Sequence, residues 1–163
     1  IRDRSRRGDP RATCGCPFRR LIAAVSAPSQ RSHIRVRYAE TDQMRIVYHS
    51  NYFVWFEVGR TDLLRQFGMT YRELEARGLG LPVIEAHCEF HQPARYDDDL
   101  EVATTGGLVS QARLRFDYTI TRQRDVVVLA TGYTIHAAVD QTGRPRRVPP
   151  DITGWLTPTQ VSP

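Results

Sequence analysis

The 163-residue sequence predicts an α+β domain in which one long helix is wrapped by a five-stranded antiparallel sheet. Three observations carry that prediction. Apolar and polar residues alternate from His33 onward, apolar residues recur at helical spacing after Ser50, and strand-like stretches then follow one another to Val139.

Residues 1–32 are rich in Arg, Ser and Pro, have little periodicity, and read as a disordered basic extension. The run Leu21 to Val25 is too short for a secretory core. The domain is expected over residues 33–157, with 158–163 as a loose tail. In its first strand Ile34, Val36 and Tyr38 alternate with Arg35 and Arg37.

Ser50 is placed to cap the long helix, whose apolar positions are Tyr52, Phe53, Phe56, Leu63, Leu64 and Phe67, with Gly68 ending it. Gly59 in its middle marks a close approach to the sheet, because glycine in an exposed helix costs about 1 kcal/mol against alanine. Thr70 and Glu73 form a capping box for a second short helix, with Met69 and Leu74 as its apolar staple and Gly78 closing it.

Four strands follow. The first turns Ile84, Ala86, Cys88 and Phe90 to one face, the second spans Leu100 to Leu108, and the third alternates Leu114, Phe116, Tyr118 and Ile120. The last, Val126 to Val139, is apolar on both faces and reads as a central strand covered on both sides. Turns are expected at Arg122 to Asp125 and at Asp140 to Gly143, and the Pro-rich end after Pro145 as partly loose. A single sheet of this kind leaves edges to be covered, so at least a dimer is expected.

Composition narrows the function classes. The formal charge is +5, but residues 1–32 carry eight Arg against Asp3 and Asp9, whereas 33–163 carry fifteen Arg against sixteen acids. The domain is close to neutral, which argues against a nucleic-acid partner. No stretch reaches the roughly 18 apolar residues of a membrane span, so a soluble, cytoplasmic protein is expected. Cys14, Cys16 and Cys88 make no disulfide framework. His87 and His91 lie about 13 Å apart along a strand, too far to share one metal ion.

The chemistry-bearing stretch is Tyr38-Ala39-Glu40-Thr41-Asp42-Gln43-Met44-Arg45-Ile46-Val47-Tyr48-His49-Ser50-Asn51-Tyr52. It resembles the 4-hydroxybenzoyl-CoA thioesterase family of the hotdog fold, in particular the Tol/Pal-associated bacterial acyl-CoA thioesterases, and the resemblance covers about residues 33–150. It implies hydrolysis of an acyl-CoA with no cofactor, coenzyme A being part of the substrate, by a homodimer or homotetramer. Asp42 is implied as nucleophile or general base, the N–H at or beside His49 as the oxyanion donor, and the side chains of His49 and Tyr38 as orienting groups. Tyr48 and Asn51 of the same motif are expected at the substrate, and Arg45 and Arg95 are candidates for coenzyme A phosphates. Relatives commonly carry a small residue, often Gly, where this chain has Met44 and Arg45, so Arg45 is expected to alter the loop, pair with an acid or reach a coenzyme A phosphate.

Plainer readings stand beside these. Asp42 is also a natural turn residue, Glu57 a surface partner for Arg60 or Arg65, and Tyr96 to Asp99 a solvated turn. Arg144, Arg146 and Arg147 are candidates for coenzyme A phosphates. Competing functions on the same fold are a hydratase or dehydratase acting on acyl thioesters and a non-catalytic acyl-binding scaffold.

Overall fold

The computed structural model describes residues 28–154 and 156–158. The expectations for residues 1–27, including Cys14 and Cys16, and for 159–163 lie outside the described residues.

Five antiparallel strands form one sheet: β1 (Ser29–Arg35), β2 (Val83–Phe90), β3 (Asp99–Ser110), β4 (Arg113–Arg122) and β5 (Val127–Ala137), in the order β1-β3-β4-β5-β2. The first strand begins at Ser29, ahead of the expected His33, and pairs from Ser29 opposite Thr105 to Arg35 opposite Asp99. A two-residue strand β6 (Thr157–Pro158) adds to β3 in parallel at Gly107 and Leu108. The helices are α1 (Ser50–Gln66), α2 (Tyr71–Ala76) and α3 (Pro150–Thr153), with one 3-10 turn at Tyr38–Glu40.

α1 lies on the sheet face made by inward residues of β3 and β4. Leu114, Phe116, Tyr118 and Ile120 are all buried, as their alternation predicts, and Phe56 stacks on Tyr118 with ring centroids 4.2 Å apart. Burying a Phe side chain of this kind contributes roughly 1.5–3 kcal/mol. The close approach predicted at Gly59 is present: a Cβ there would overlap the Thr104 side chain and lie 3.1 Å from Val102. At Gly132 of β5 a Cβ would meet the Phe56 ring at 2.8 Å, so small residues on two strands admit the helix.

The capping box forms as predicted, the Glu73 N–H donating to Thr70 Oγ1 at 3.2 Å and the Thr70 N–H to Glu73 Oε2 at 2.7 Å. Gly68 and Gly78 both take φ of 71° past their helices. Ser50 does not cap α1. His49 holds the N-cap position, with helical φ and ψ of −53° and −31° and no side-chain cap.

Three expectations are corrected. β2, predicted to bury Ile84, Ala86, Cys88 and Phe90, is exposed along nearly all its length, because it is an edge strand beyond the cover of α1. β5 is interior to the sheet but not covered on both sides, since its outward residues Val128, Tyr133 and Ile135 keep solvent exposure. The described residues after Pro145 pack against the core rather than lie loose, with Val148, Ile152 and Leu156 buried.

Candidate active site

The stretch between the 3-10 turn and α1 is a tight loop built on hydrogen bonds. Thr41 and Val47 form an isolated antiparallel bridge, the Asp42 N–H donates to the Ile46 carbonyl at 2.9 Å, and the Arg45 N–H donates to the Asp42 carbonyl at 2.9 Å. The Met44 N–H donates to Asp42 Oδ1 at 2.8 Å, an Asx turn that fixes the carboxylate. Arg45 takes φ of 61°. That is the left-handed conformation for which glycine is the usual residue, so the departure noted in the sequence keeps the turn and accepts local strain.

Two further bonds dock the loop. The Val47 N–H donates to the Ala94 carbonyl and the Tyr48 N–H to the Glu40 carbonyl, each at 2.9 Å. At the start of α1, the Asn51 N–H donates to the Tyr48 carbonyl at 3.0 Å and the Tyr52 N–H to the His49 carbonyl at 3.3 Å. The N–H groups of His49 and Ser50 meet no acceptor among the described residues. Open N–H groups at a helix N-terminus carry the positive end of the helix dipole and favour a developing negative charge. The first turn of α1 holds no acidic residue to compete for them.

Glu40 is the residue that sequence reasoning missed. It is 4% exposed, and its carboxylate accepts from the Arg37 N–H at 2.7 Å, from Arg37 Nη2 at 3.1 Å and from Trp55 Nε1 at 3.2 Å. Burial works to raise its pKa, but the Arg37 and Trp55 hydrogen bonds outweigh it and hold the carboxyl below the ordinary carboxylate range. A polar residue two places before Asp42 gives no periodic signal for burial, and its partner Trp55 is fifteen residues away.

A cleft of about 530 Å³ opens between this loop and the end of β2. Asp42, Tyr48 and His49 line it, together with the apolar side chains of Met44 and Ile46 on the loop side and Phe90 and Pro93 opposite. Tyr52 is buried at its base, where its hydroxyl accepts the Ala94 N–H at 3.0 Å and burial raises its pKa above the ordinary phenol value. His91 also lines the cleft, with Nε2 3.0 Å from Thr131 Oγ1.

Other predicted site residues stand outside this lining. Tyr38 is 78% exposed and meets Tyr96 edge-on at 5.8 Å. Asn51 donates through Nδ2 to the carbonyls of Glu40 at 2.9 Å and Tyr48 at 3.3 Å, so it positions the loop. Arg45 and Arg95 are exposed. The expected solvated turn at Tyr96 to Asp99 is corrected at Asp98, which is 4% exposed, accepts the Arg95 N–H at 2.8 Å and pairs with Arg124 at 3.4 Å and Arg122 at 3.7 Å.

Comparison with known proteins adds a family. A family model described as the thioesterase-like superfamily matches residues 36–156. The chain is 46% identical over 74 residues to the putative acyl-CoA thioesterase YneP of Bacillus subtilis, a match covering 45% of this chain and 54% of that protein. A hypothetical protein from Thermus thermophilus superposes with a TM-score of 0.72 at 41% identity, covering 78% of this chain and 95% of the other. The DHNA-CoA thioesterase of Staphylococcus aureus superposes with a TM-score of 0.69 at 31% identity, covering 73% and 80%.

Proposed function

The chain belongs to the thioesterase-like superfamily, and from that footing we propose that it is an acyl-CoA thioesterase, hydrolysing an acyl-CoA to the free acid and coenzyme A with Asp42 as the catalytic carboxylate. The observation that carries this reading is the shared cleft: a carboxylate held by an Asx turn and the open N-terminus of α1 line one apolar cavity. Relatives named as an acyl-CoA thioesterase and as a DHNA-CoA thioesterase support the substrate class.

With the thioester carbonyl in this cleft, the N–H groups at His49 and Ser50 stabilise charge developing on its oxygen. Asp42 attacks the carbonyl carbon or takes a proton from the attacking water. As general base it passes that proton to the sulfur as the carbon–sulfur bond breaks, and the acyl carbon keeps the water oxygen as a carboxylic acid. As nucleophile it displaces coenzyme A as the thiolate and forms a mixed anhydride, which water hydrolyses to the free acid and the Asp42 carboxylate while the released proton goes to the thiolate. The side chains of Tyr48 and His49 orient the acyl group, Asn51 and Tyr38 support the loop, and the exposed Arg45 and Arg95 are available to coenzyme A phosphates. The free outer edge of β2, with Ile84 and Phe90 about half exposed, supports pairing of two copies along that strand.

Free thiol release from a panel of acyl-CoAs, for the wild type and Asp42→Asn, tests the proposal. The variant is expected to lose about 10²- to 10⁴-fold in kcat while keeping its melting temperature, because an Asn Oδ1 still accepts the Met44 N–H. Equal turnover by the variant would end the proposal. Addition of water to an enoyl-CoA without thiol release would assign a hydratase instead, and inertness towards every thioester a scaffold.

A further inference from the structure

Among the described residues, Arg60 is a buried cation with no counter-anion. It is 8% exposed in the middle of α1, and no carboxylate among the described residues lies within ion-pair distance of it. Its Nη1 meets His136 Nε2 at 3.1 Å, its guanidinium carbon lies 5.4 Å from the centroid of the Tyr71 ring, and its Nε has no hydrogen-bond partner. His136 Nδ1 is 2.9 Å from the Leu81 carbonyl, which only accepts, so Nδ1 carries the proton and Nε2 is an acceptor. Thr134 Oγ1 is 2.9 Å from the same Nε2 and 2.7 Å from the Tyr118 hydroxyl. Burial first, and the Arg60 charge second, push the His136 pKa down to about 4, against the pull of the Leu81 carbonyl, so the ring is neutral near pH 7. The side chains in direct contact with the guanidinium, His136 and Tyr71, are therefore neutral, and a buried charge without a paired charge is costly to hold in a fold.

Arg60 and Thr134 line a second cavity of about 320 Å³ with Phe53, Glu57, Val83 and Ala86. Like the Asp42 cleft, which is lined by Tyr52 and Phe90, it is lined by residues of both α1 and β2. His49 and Arg60 are eleven residues apart, about three turns, which places them on one face of the helix roughly 17 Å apart along its axis. An arginine side chain on a helix leans back toward the N-terminus, shortening that span. On the opposite wall, Phe90 of the cleft and Ala86 of the second cavity are four residues apart on one face of β2.

We propose that Arg60 and Thr134 form a carboxylate-binding subsite in the second cavity, between α1 and β2, which receives the terminal carboxylate of an acyl group whose thioester lies at Asp42. The inference rests on the thioesterase reading for the identity of the bound molecule, and on the unpaired cation and its cavity for the chemistry. A guanidinium offers a carboxylate two parallel donors, and the Nε left without a partner is one of the five N–H donors from which such a fork is drawn. Glu57 lines the same cavity but is exposed and makes no ion pair with Arg60, so its charge opposes the incoming carboxylate and does not replace it.

Two acyl-CoAs of equal length, octanoyl-CoA and its ω-carboxy counterpart, test the subsite through the ratio of their kcat/KM values. Arg60→Met is expected to lower the ratio of carboxy to methyl substrate at least tenfold, and Glu57→Gln to raise it. Calorimetry with free octanedioate separates a free acid from an acyl terminus: it binds the wild type and not Arg60→Met if the subsite accepts the carboxylate alone. Should Arg60→Met not fold, Thr134→Val is expected to lower the same ratio. If the wild type hydrolyses neither thioester, the thioesterase reading fails, and Arg60-dependent binding of octanedioate still upholds the subsite while its absence overturns it. A ratio unmoved by Arg60→Met or Thr134→Val overturns the proposal, as does an Arg60→Met effect confined to the association state, which would assign the missing counter-charge to a second copy of the chain.

Discussion

Trp55 Nε1 donates a hydrogen bond to Glu40 Oε1 at 3.2 Å, joining the second turn of α1 to the residue two places before Asp42. The same carboxylate accepts from Arg37, so three donors converge on one buried acid. The loop that carries Asp42 is thus pinned from the α1 side by Trp55 and from the side of β1 by Arg37.

Glu40→Gln is expected to lower stability by about 1–3 kcal/mol at pH 7, read by denaturant unfolding, because hydrogen bonds to a buried charge are among the stronger ones. The pH dependence has a definite sign. The folded carboxyl has a pKa below its ordinary 4.5, so its contribution is intact above that value and is lost as pH falls through the lower folded one. The stability gap between variant and wild type should narrow on acidification below pH 4.5; a gap independent of pH would contradict it.

Arg45 tests the strain in the loop. At φ of 61°, Arg45→Gly is expected to be neutral or slightly stabilising, since relief of the left-handed conformation and the added freedom of the unfolded chain nearly cancel. Arg45→Val should cost about 1–2 kcal/mol, because a β-branched residue tolerates positive φ poorly. Thermal melts of the pair decide it, and equal melting temperatures would show the turn to be unstrained.

Gly59→Ala reverses a familiar sign. In an exposed helix the change stabilises by about 1 kcal/mol, but here the new methyl overlaps Thr104, and a loss of about 1–3 kcal/mol is expected. Thr104 Oγ1 has no hydrogen-bond partner, so Thr104→Ala should recover part of that loss in the double variant. A double-mutant cycle in denaturant with no coupling would mean that helix and sheet adjust independently.

His136 sets a second pH dependence. Its folded pKa of about 4 lies below its ordinary 6.5, so between those values the unfolded chain takes up a proton that the folded chain refuses. Its contribution is full above pH 6.5 and declines by up to roughly 3 kcal/mol as pH falls toward 4. His136→Gln should flatten the stability curve across that window, and a slope identical to wild type would show that the imidazole titrates freely.

Legibility in the sequence followed the range of the interactions. Thr70 and Glu73, Gly68 and Gly78, and the alternating core of β4 are local patterns, and they formed where the sequence predicts. Gly59 was legible because a glycine inside a long helix needs a reason, and Thr104 supplies it. The turn reading of Asp42 was legible, one carboxylate oxygen being taken by the Met44 N–H, and the residue also lines the cleft. Glu40, Asp98 and Arg60 were not legible as buried groups, since each is a charged residue held by partners that arrive from elsewhere, Trp55, Arg124 and His136 respectively. The exposed face of β2 misled for the opposite reason: apolar alternation predicts a covered face without saying which molecule covers it.

The strand order also sets a sequence of assembly. β3, β4 and β5 are joined by short turns and pair in chain order, whereas β1 and β2 reach their partners across long stretches of chain. Closing those long loops is entropically slower than zipping the hairpins, so the three-strand meander is expected to protect its amides first in pulsed exchange during refolding. One wall of the Asp42 cleft hangs from each late strand, which makes that cleft among the last parts of the molecule to exist.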